Sequence, residues 1–158
     1  MVNLTARDIM NQDVLSVGMN WSIDQLANYL IENSISGAPV VSEDGKLVGV
    51  VSLTDIVRYR NIPATDNRAE DPHDYYIHTS ELNYSNEEIE SLHLDAESLV
   101  SVKDIMTPKT FNVNEDTKIH NVADAMIRGN IHRVLVTRED TLIGIITSMD
   151  MLRVIRDF

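Results

Sequence analysis

The chain repeats itself, and the repeat limits what it can fold into. Asp8-Ile9-Met10 returns as Asp104-Ile105-Met106. From there two stretches stay in step: Val17 with Val113, Ile23 with Ile119, Ala27 with Ala123, Ile31 with Ile127, Ile35 with Ile131 and Val40 with Val136. One residue is then lost, where Glu43-Asp44-Gly45-Lys46-Leu47 becomes Glu139-Asp140-Thr141-Leu142. The match resumes as Leu47-Val48-Gly49-Val50-Val51-Ser52 against Leu142-Ile143-Gly144-Ile145-Ile146-Thr147, with Asp55 opposite Asp150 and Arg58 opposite Arg153. A single gap placed in a turn is the mark of one structural unit copied once.

Each copy has the same local pattern. Ile23, Leu26, Ala27, Leu30 and Ile31 fall on one face of a helix, and Ile119, Val122, Ala123, Met126 and Ile127 repeat the spacing. Ser22 and Gln25 form a capping box at the first of these helices. Ala38–Val41 and Leu47–Val51 are β-branched runs that flank a turn at Glu43-Asp44-Gly45-Lys46. A second helix starts near Leu53. The predicted unit is strand, helix, strand, strand, helix. A sheet of so few strands with one apolar face cannot stand alone, so the two units are expected to bury their sheets against each other.

Residues 61–100 have no counterpart between the copies. They carry ten acidic residues against one basic residue, Arg68. Pro63 to His78 reads as loop, and Ser85 to Leu99 as a helix with Ser85 and Glu88 at its cap. The insert is either a solvated connection or a docking segment for a partner protein. His73, His78 and His93 lie in it, near Asp71, Asp74 and Asp95. These are zinc-ligand types, but their spacing matches no compact ligand motif, so no metal site is assigned. The predicted boundaries are 1–60, 61–100 and 101–158.

The rest of the composition excludes function classes. With no cysteine there is no disulfide, thiolate metal site or thiol nucleophile. No phosphate-binding Gly-rich loop, HExxH or triad pattern occurs, and no enzyme activity is expected. A net charge of −12 disfavours nucleic acid as a partner. No apolar run is long enough to span a bilayer, and Met1 to Thr5 does not begin a signal peptide, so a cytoplasmic protein off the membrane is expected.

One constellation suggests chemistry. In Gly49–Asp55 and again in Gly144–Asp150, an apolar strand runs into a hydroxyl residue, Ser52 or Thr147, with a carboxylate three positions on. Such a pair can be a capping box and nothing more. The same geometry can bind a ligand. The helix N-terminus attracts an anion, the hydroxyl meets phosphate or ribose, and the carboxylate accepts from ribose hydroxyls. Both readings stand on the residues alone.

The pattern Asp-Ile-Met, then Ile/Val-x-x-Ala, then Gly-h-h-Ser/Thr-x-x-Asp (h apolar) resembles the cystathionine-β-synthase (CBS) domain. A tandem pair of these forms a Bateman module. The resemblance covers about residues 4–60 and 101–157. It implies an α/β (α+β) fold of two β-α-β-β-α repeats packed by their sheets with pseudo-twofold symmetry, usually dimerised. It also implies two clefts that take AMP, ADP, ATP or S-adenosylmethionine as regulatory ligand, and a regulated partner in trans. The family's ribose carboxylate maps onto Asp55 and Asp150, and its hydroxyl onto Ser52 and Thr147. The polar residue near the end of the first strand, often Thr in the family, maps onto Ser16 and Asn112. The base-pocket segment maps onto Ile35-Ser36-Gly37-Ala38 and Ile131-His132-Arg133-Val134. His132-Arg133 resembles the pair with which nucleotide-sensing members of the family meet phosphates. Arg133 could clamp a phosphate through two parallel hydrogen bonds. The first copy has Ser36-Gly37 there, so unequal clefts are expected, with the second copy's site the stronger for phosphate. The alternative is a module without ligand that serves protein interaction.

Overall fold

The computed structural model describes residues 3–61, 73–77 and 99–158. The first repeat comprises α1 (Ala6–Ile9), β1 (Val17–Gly18), α2 (Ile23–Glu32), β2 (Gly37–Val41), β3 (Leu47–Ser52) and α3 (Leu53–Asn61). A short helix, α4 (Asp74–Ile77), follows in the insert. The second repeat comprises α5 (Val102–Ile105), β4 (Asn112–Asn114), α6 (Ile119–Gly129), β5 (Arg133–Arg138), β6 (Thr141–Thr147) and α7 (Ser148–Arg156). Each repeat makes a three-stranded sheet, ordered β1-β2-β3 and β4-β5-β6. The outer pairing β1–β2 or β4–β5 is parallel, and β2–β3 or β5–β6 is an antiparallel hairpin. The predicted α+β pair of repeats is thus the observed fold.

Local chemistry accounts for the elements. Ser22 Oγ accepts from the Gln25 N–H at 3.1 Å, and Gln25 returns an acceptor to the Ser22 N–H at 2.9 Å, closing the predicted capping box of α2. α2 buries Ile23, Leu26, Ala27 and Leu30. α6 buries Val122 and Met126, whereas Ile127 is 76% exposed. Ile127 stands eight positions after Ile119, roughly 80° round the helix, at the edge of the apolar stripe. The lost residue of the second copy falls in the β5–β6 turn. There Glu139 and Asp140 take φ of 49° and 67°, the backbone of a two-residue hairpin, while the longer first-copy turn puts its positive φ at Gly45.

The insert departs from expectation in one place. Loop was expected from Pro63 to His78, but Asp74–Ile77 forms a helical turn. Burial explains it: Tyr75 and Tyr76 are buried in the second repeat's core, and Tyr76 N–H donates to the His73 carbonyl at 2.9 Å. The helix expected from Ser85 to Leu99 lies outside the described residues, apart from Leu99.

The repeats are joined by exchanging their leading segments. α1 docks on the second repeat, where Ala6 N–H donates to Thr117 O at 2.8 Å and Arg7 N–H to Glu115 O at 2.9 Å, and Ala6 joins that repeat's core. α5 docks on the first repeat in the same way. Val102 N–H donates to Trp21 O and Lys103 N–H to Met19 O, both at 2.9 Å, and Val102 joins the first core. Burying one such valine contributes about 2 kcal/mol. Past each leader the chain pairs with the far hairpin, as Asn11 with Ile145 and Thr107 with Val50. The hairpin ends also meet, through Leu47 N–H to Asp140 O at 2.9 Å and Leu142 N–H to Gly45 O at 3.2 Å.

This exchange explains the repeated Met and Gly. A Cβ on Gly49 would stand 2.7 Å from Thr107 O and 2.9 Å from Met106 Sδ, and one on Gly144 would stand 2.5 Å from Met10 Sδ. Each motif glycine thus makes room for the other copy's leader. Glu115 fixes the α1 side. It accepts from Arg138 Nε, from Arg138 Nη2 at 2.6 Å and from Arg7 Nε at 2.9 Å. Hydrogen bonding to Arg138 brings its pKa from 4.5 down to about 2, against the opposing effect of burial.

Two outcomes follow. Gly49→Ala meets a backbone carbonyl and Gly144→Ala a flexible thioether, so urea unfolding should show the first losing about 2–3 kcal/mol and the second about 1 kcal/mol. Equal losses would sink this account of the glycines. Glu115 has a depressed folded pKa, so its contribution is complete above about pH 4.5 and is lost as the pH falls towards 2. The melting temperature of the wild type should fall over that window more steeply than that of Glu115→Gln. Parallel curves would deny Glu115 the role.

Candidate functional site

The two hydroxyl–carboxylate pairs sit at the starts of α3 and α7, as the motif required. Thr147 caps α7: its N–H and hydroxyl donate to Asp150 Oδ2 at 2.8 and 2.9 Å, and its Oγ1 faces the Asp150 N–H at 3.4 Å. Ser52 does the same for α3, with its N–H on Asp55 Oδ2 at 2.8 Å and its hydroxyl at 3.4 Å. The capping reading therefore holds at both positions. It uses chiefly one oxygen of each carboxylate, so it does not exclude a second partner.

That second partner differs between the copies. Asp150, with its side chain 15% exposed, receives Arg153 Nη1 on Oδ1 at 2.7 Å, from a guanidinium that is 62% exposed. Asp55 is 7% exposed and meets His73 Nε2 at 2.7 Å, from a ring itself 6% exposed. His73 Nδ1 accepts the Tyr75 N–H at 3.1 Å, which leaves Nε2 to carry the proton and donate it to Asp55.

The rest of α4 lies across the same place. The Tyr75 ring rests on Gly37, where a Cβ would stand 3.3 Å from Cδ2. The Arg133 guanidinium covers it with Cζ 4.9 Å from the ring centroid. Burial pushes the Tyr75 phenol up to about 12, and Arg133 opposes that shift. Tyr76 stacks edge-on against Phe111 at 5.0 Å, takes the Phe111 N–H on its hydroxyl at 2.9 Å and takes the His132 N–H on its carbonyl at 2.7 Å. Burial raises its phenol pKa as well.

The residues singled out from the sequence thus group across the repeats. Arg133 stands opposite Thr147 in the β5–β6 register, yet its side chain covers Tyr75, two residues beyond the His73 that meets Asp55. It had been assigned by copy to the Asp150 site. Ser36 O accepts Leu53 N–H and His132 O accepts Ser148 N–H, each at 2.9 Å, so the two base-pocket segments close onto the helix starts through backbone. Ala38 and Val134 are fully buried in the cores. Ser16, just before β1, is half-buried, and Asn112 Nδ2 donates to Thr137 Oγ1 at 3.1 Å. His73, Tyr75 and Tyr76 were missed as members of this site. Two adjacent tyrosines in an acidic, otherwise polar stretch were the available signal. Among the described residues no group of three or more His, Cys, Asp or Glu could hold a metal. His78, His93, Asp71 and Asp95 lie outside them.

Residues 6–61 and 102–157 each match the CBS domain, more than half of the chain. The chain belongs to the CBS domain family. It is 33% identical over 149 residues to the uncharacterized protein MJ1426 of Methanocaldococcus jannaschii, covering 92% of this chain and 88% of that one. MJ1232 of the same organism is 29% identical over 97% of the chain, which spans 40% of that longer relative. Among solved structures, CBSX2 of Arabidopsis thaliana in complex with AMP has a TM-score of 0.65 at 23% identity, over 97% of this chain and 96% of that one. The CBS domain pair of MJ0100, in complex with 5-methylthioadenosine and S-adenosyl-L-methionine, has a TM-score of 0.61 at 24% identity, over 99% and 98%. At these identities the likeness establishes the fold. No helix among the described residues is long and apolar enough to cross a membrane.

Proposed function

We propose that this CBS pair is a non-catalytic regulatory module that binds an adenine nucleotide and passes its occupancy to a partner protein in trans. The observation that carries the reading is the duplicated hydroxyl–carboxylate pair at two helix N-termini, Ser52 with Asp55 and Thr147 with Asp150. Each presents a carboxylate for a ribose diol beside helix N–H groups that favour an anion. At Asp150 the competing partner is an exposed arginine, and such pairs contribute little. A ribose could therefore replace it at small cost. CBSX2 and the MJ0100 pair are described with adenosyl ligands, which supports the same chemistry here. His132 and Arg133 favour a ligand that bears phosphate, AMP, ADP or ATP, over S-adenosylmethionine.

The second reading is a ligand-free interaction module, and the complete capping boxes favour it. Asp150→Ala separates the two. The cap loss should lower stability by about 1 kcal/mol in either case. Under the nucleotide reading, calorimetric titration with AMP should also show at least one binding event lost. Wild-type protein that gives no heat and no thermal shift with AMP, ADP or ATP at millimolar concentrations would leave only the interaction module.

We also infer a homodimer. Met149, Leu152 and Ile155 are 58%, 54% and 71% exposed at i, i+3 and i+6 along α7. A second copy would cover that stripe. Sedimentation equilibrium should give twice the chain mass for the wild type and the single mass for Leu152→Glu; a monomeric wild type would refute the dimer.

A further inference from the structure

Between the predicted nucleotide-binding groups of the two repeats lies a piece of the chain itself. The resemblance assigns Asp55 to ribose, the Ser36-Gly37 segment to the base and His132-Arg133 to phosphate. Three residues of α4 and its approach, His73, Tyr75 and Tyr76, engage all three. His73 donates to Asp55 Oδ2 at 2.7 Å. Tyr75 lays an aromatic ring on Gly37 and under the Arg133 guanidinium. Tyr76 takes the His132 N–H on its carbonyl at 2.7 Å. A hydrogen-bond donor on the carboxylate, a flat ring on the glycine and an acceptor at the His-Arg segment are the features of a bound nucleotide. The contacts are also buried: the side chains of Asp55 and His73 are less than a tenth exposed, and Tyr75 and Tyr76 are buried. The second carboxylate, Asp150, has an exposed arginine in the place of the buried histidine.

We propose that the His73–Ile77 segment is an internal occupant of the Asp55 cleft, and that an adenine nucleotide binds there only by displacing it. The inference rests on the nucleotide reading of the preceding section and adds its regulation. The two occupants share Asp55 and Arg133, so they exclude each other. Nucleotide affinity at this cleft is reduced by the fraction of molecules in which the segment is seated. Ligand binding then frees the aromatic pair from the second repeat's core. The signal given to a partner is the presentation of His73–Ile77 rather than a change of angle between repeats alone.

The test uses AMP as the probe on the full chain. His73→Ala removes the donor to Asp55 and leaves the carboxylate in place. In calorimetric titration it should bind AMP about tenfold more tightly than wild type at one site, since a hydrogen bond to a charged group is of that size. The gain should vanish in the double variant His73→Ala/Asp55→Asn. A second measurement needs no variant. Amide hydrogen exchange of residues 73–77 in wild-type protein should speed up as AMP fills the site that depends on Asp55, although a ligand ordinarily slows exchange around itself. If AMP fills that site while exchange at 73–77 is unchanged or slower, the segment does not compete and the proposal falls. It also falls if AMP binds wild type only where Asp55 is not needed and His73→Ala gains nothing. Both of those results leave the nucleotide reading standing. Absence of AMP, ADP and ATP binding in wild type and His73→Ala alike removes that reading, and this inference with it.

Discussion

The contact of each repeat's glycine with the other repeat's leader is the constraint on which the arrangement depends. Gly49 and Gly144 sit mid-strand, where a missing side chain ordinarily weakens a sheet. Here the missing atoms let the Met106 side chain and Thr107 carbonyl lie against β3, and the Met10 side chain against β6. The leaders bring Val102 and Ala6 into cores that their own repeats do not hold. Neither three-stranded sheet has enough apolar surface to be stable by itself. The exchange supplies the missing cover and sets the mutual position of β3 and β6. The starts of α3 and α7, where the carboxylates are held, follow directly from those strands.

A symmetric frame of this kind would be expected to make two equivalent clefts, and the side chains break the equivalence. The capping geometry is almost the same in both, down to Ser52 N–H and Thr147 N–H on their carboxylates at 2.8 Å. What differs is the neighbour: a buried imidazole at Asp55 and an exposed guanidinium at Asp150. The substitution of Ser36-Gly37 by His132-Arg133 between the copies has a structural use on this view. The small residue gives the Tyr75 ring a floor and the large one gives it a roof. One ring needs both copies, each in its own form.

Most of the fold was legible in one dimension because it depends on spacing. The Ile23 and Ile119 helices, the two hairpins and the Ser22 cap are periodic or local, and each appears where the pattern put it. The hydroxyl–carboxylate pairs at Asp55 and Asp150 could also be placed at helix starts, since their geometry is set within four residues. Two things were not legible. The pairing of Asp8-Ile9-Met10 with the distant repeat leaves no trace in local periodicity, because either copy could have kept its own leader. The role of His73, Tyr75 and Tyr76 was hidden for a related reason. A single helical turn has no period to detect, and an acidic stretch reads as solvated unless the partners of its aromatic pair are known. Arg133 was assigned by copy number, and its guanidinium lies over the Tyr75 ring of the insert, a contact that the repeat pattern does not contain. Contacts between copies are where repeat-by-repeat reasoning fails.

The exchanged leaders also bear on how the chain comes into being. Arg7 and Glu115 are 108 residues apart, yet they form one junction. During synthesis the N-terminal leader emerges long before its seat exists, and the first repeat remains uncovered until Val102 has left the ribosome. Contacts so remote in sequence close late, because a long stretch of chain must be ordered before they give anything back. The first copy is therefore not a unit that folds and waits for the second. Folding is a property of the duplicated chain, and an ancestral single copy with this architecture would have needed a second molecule to supply the leader it gave away.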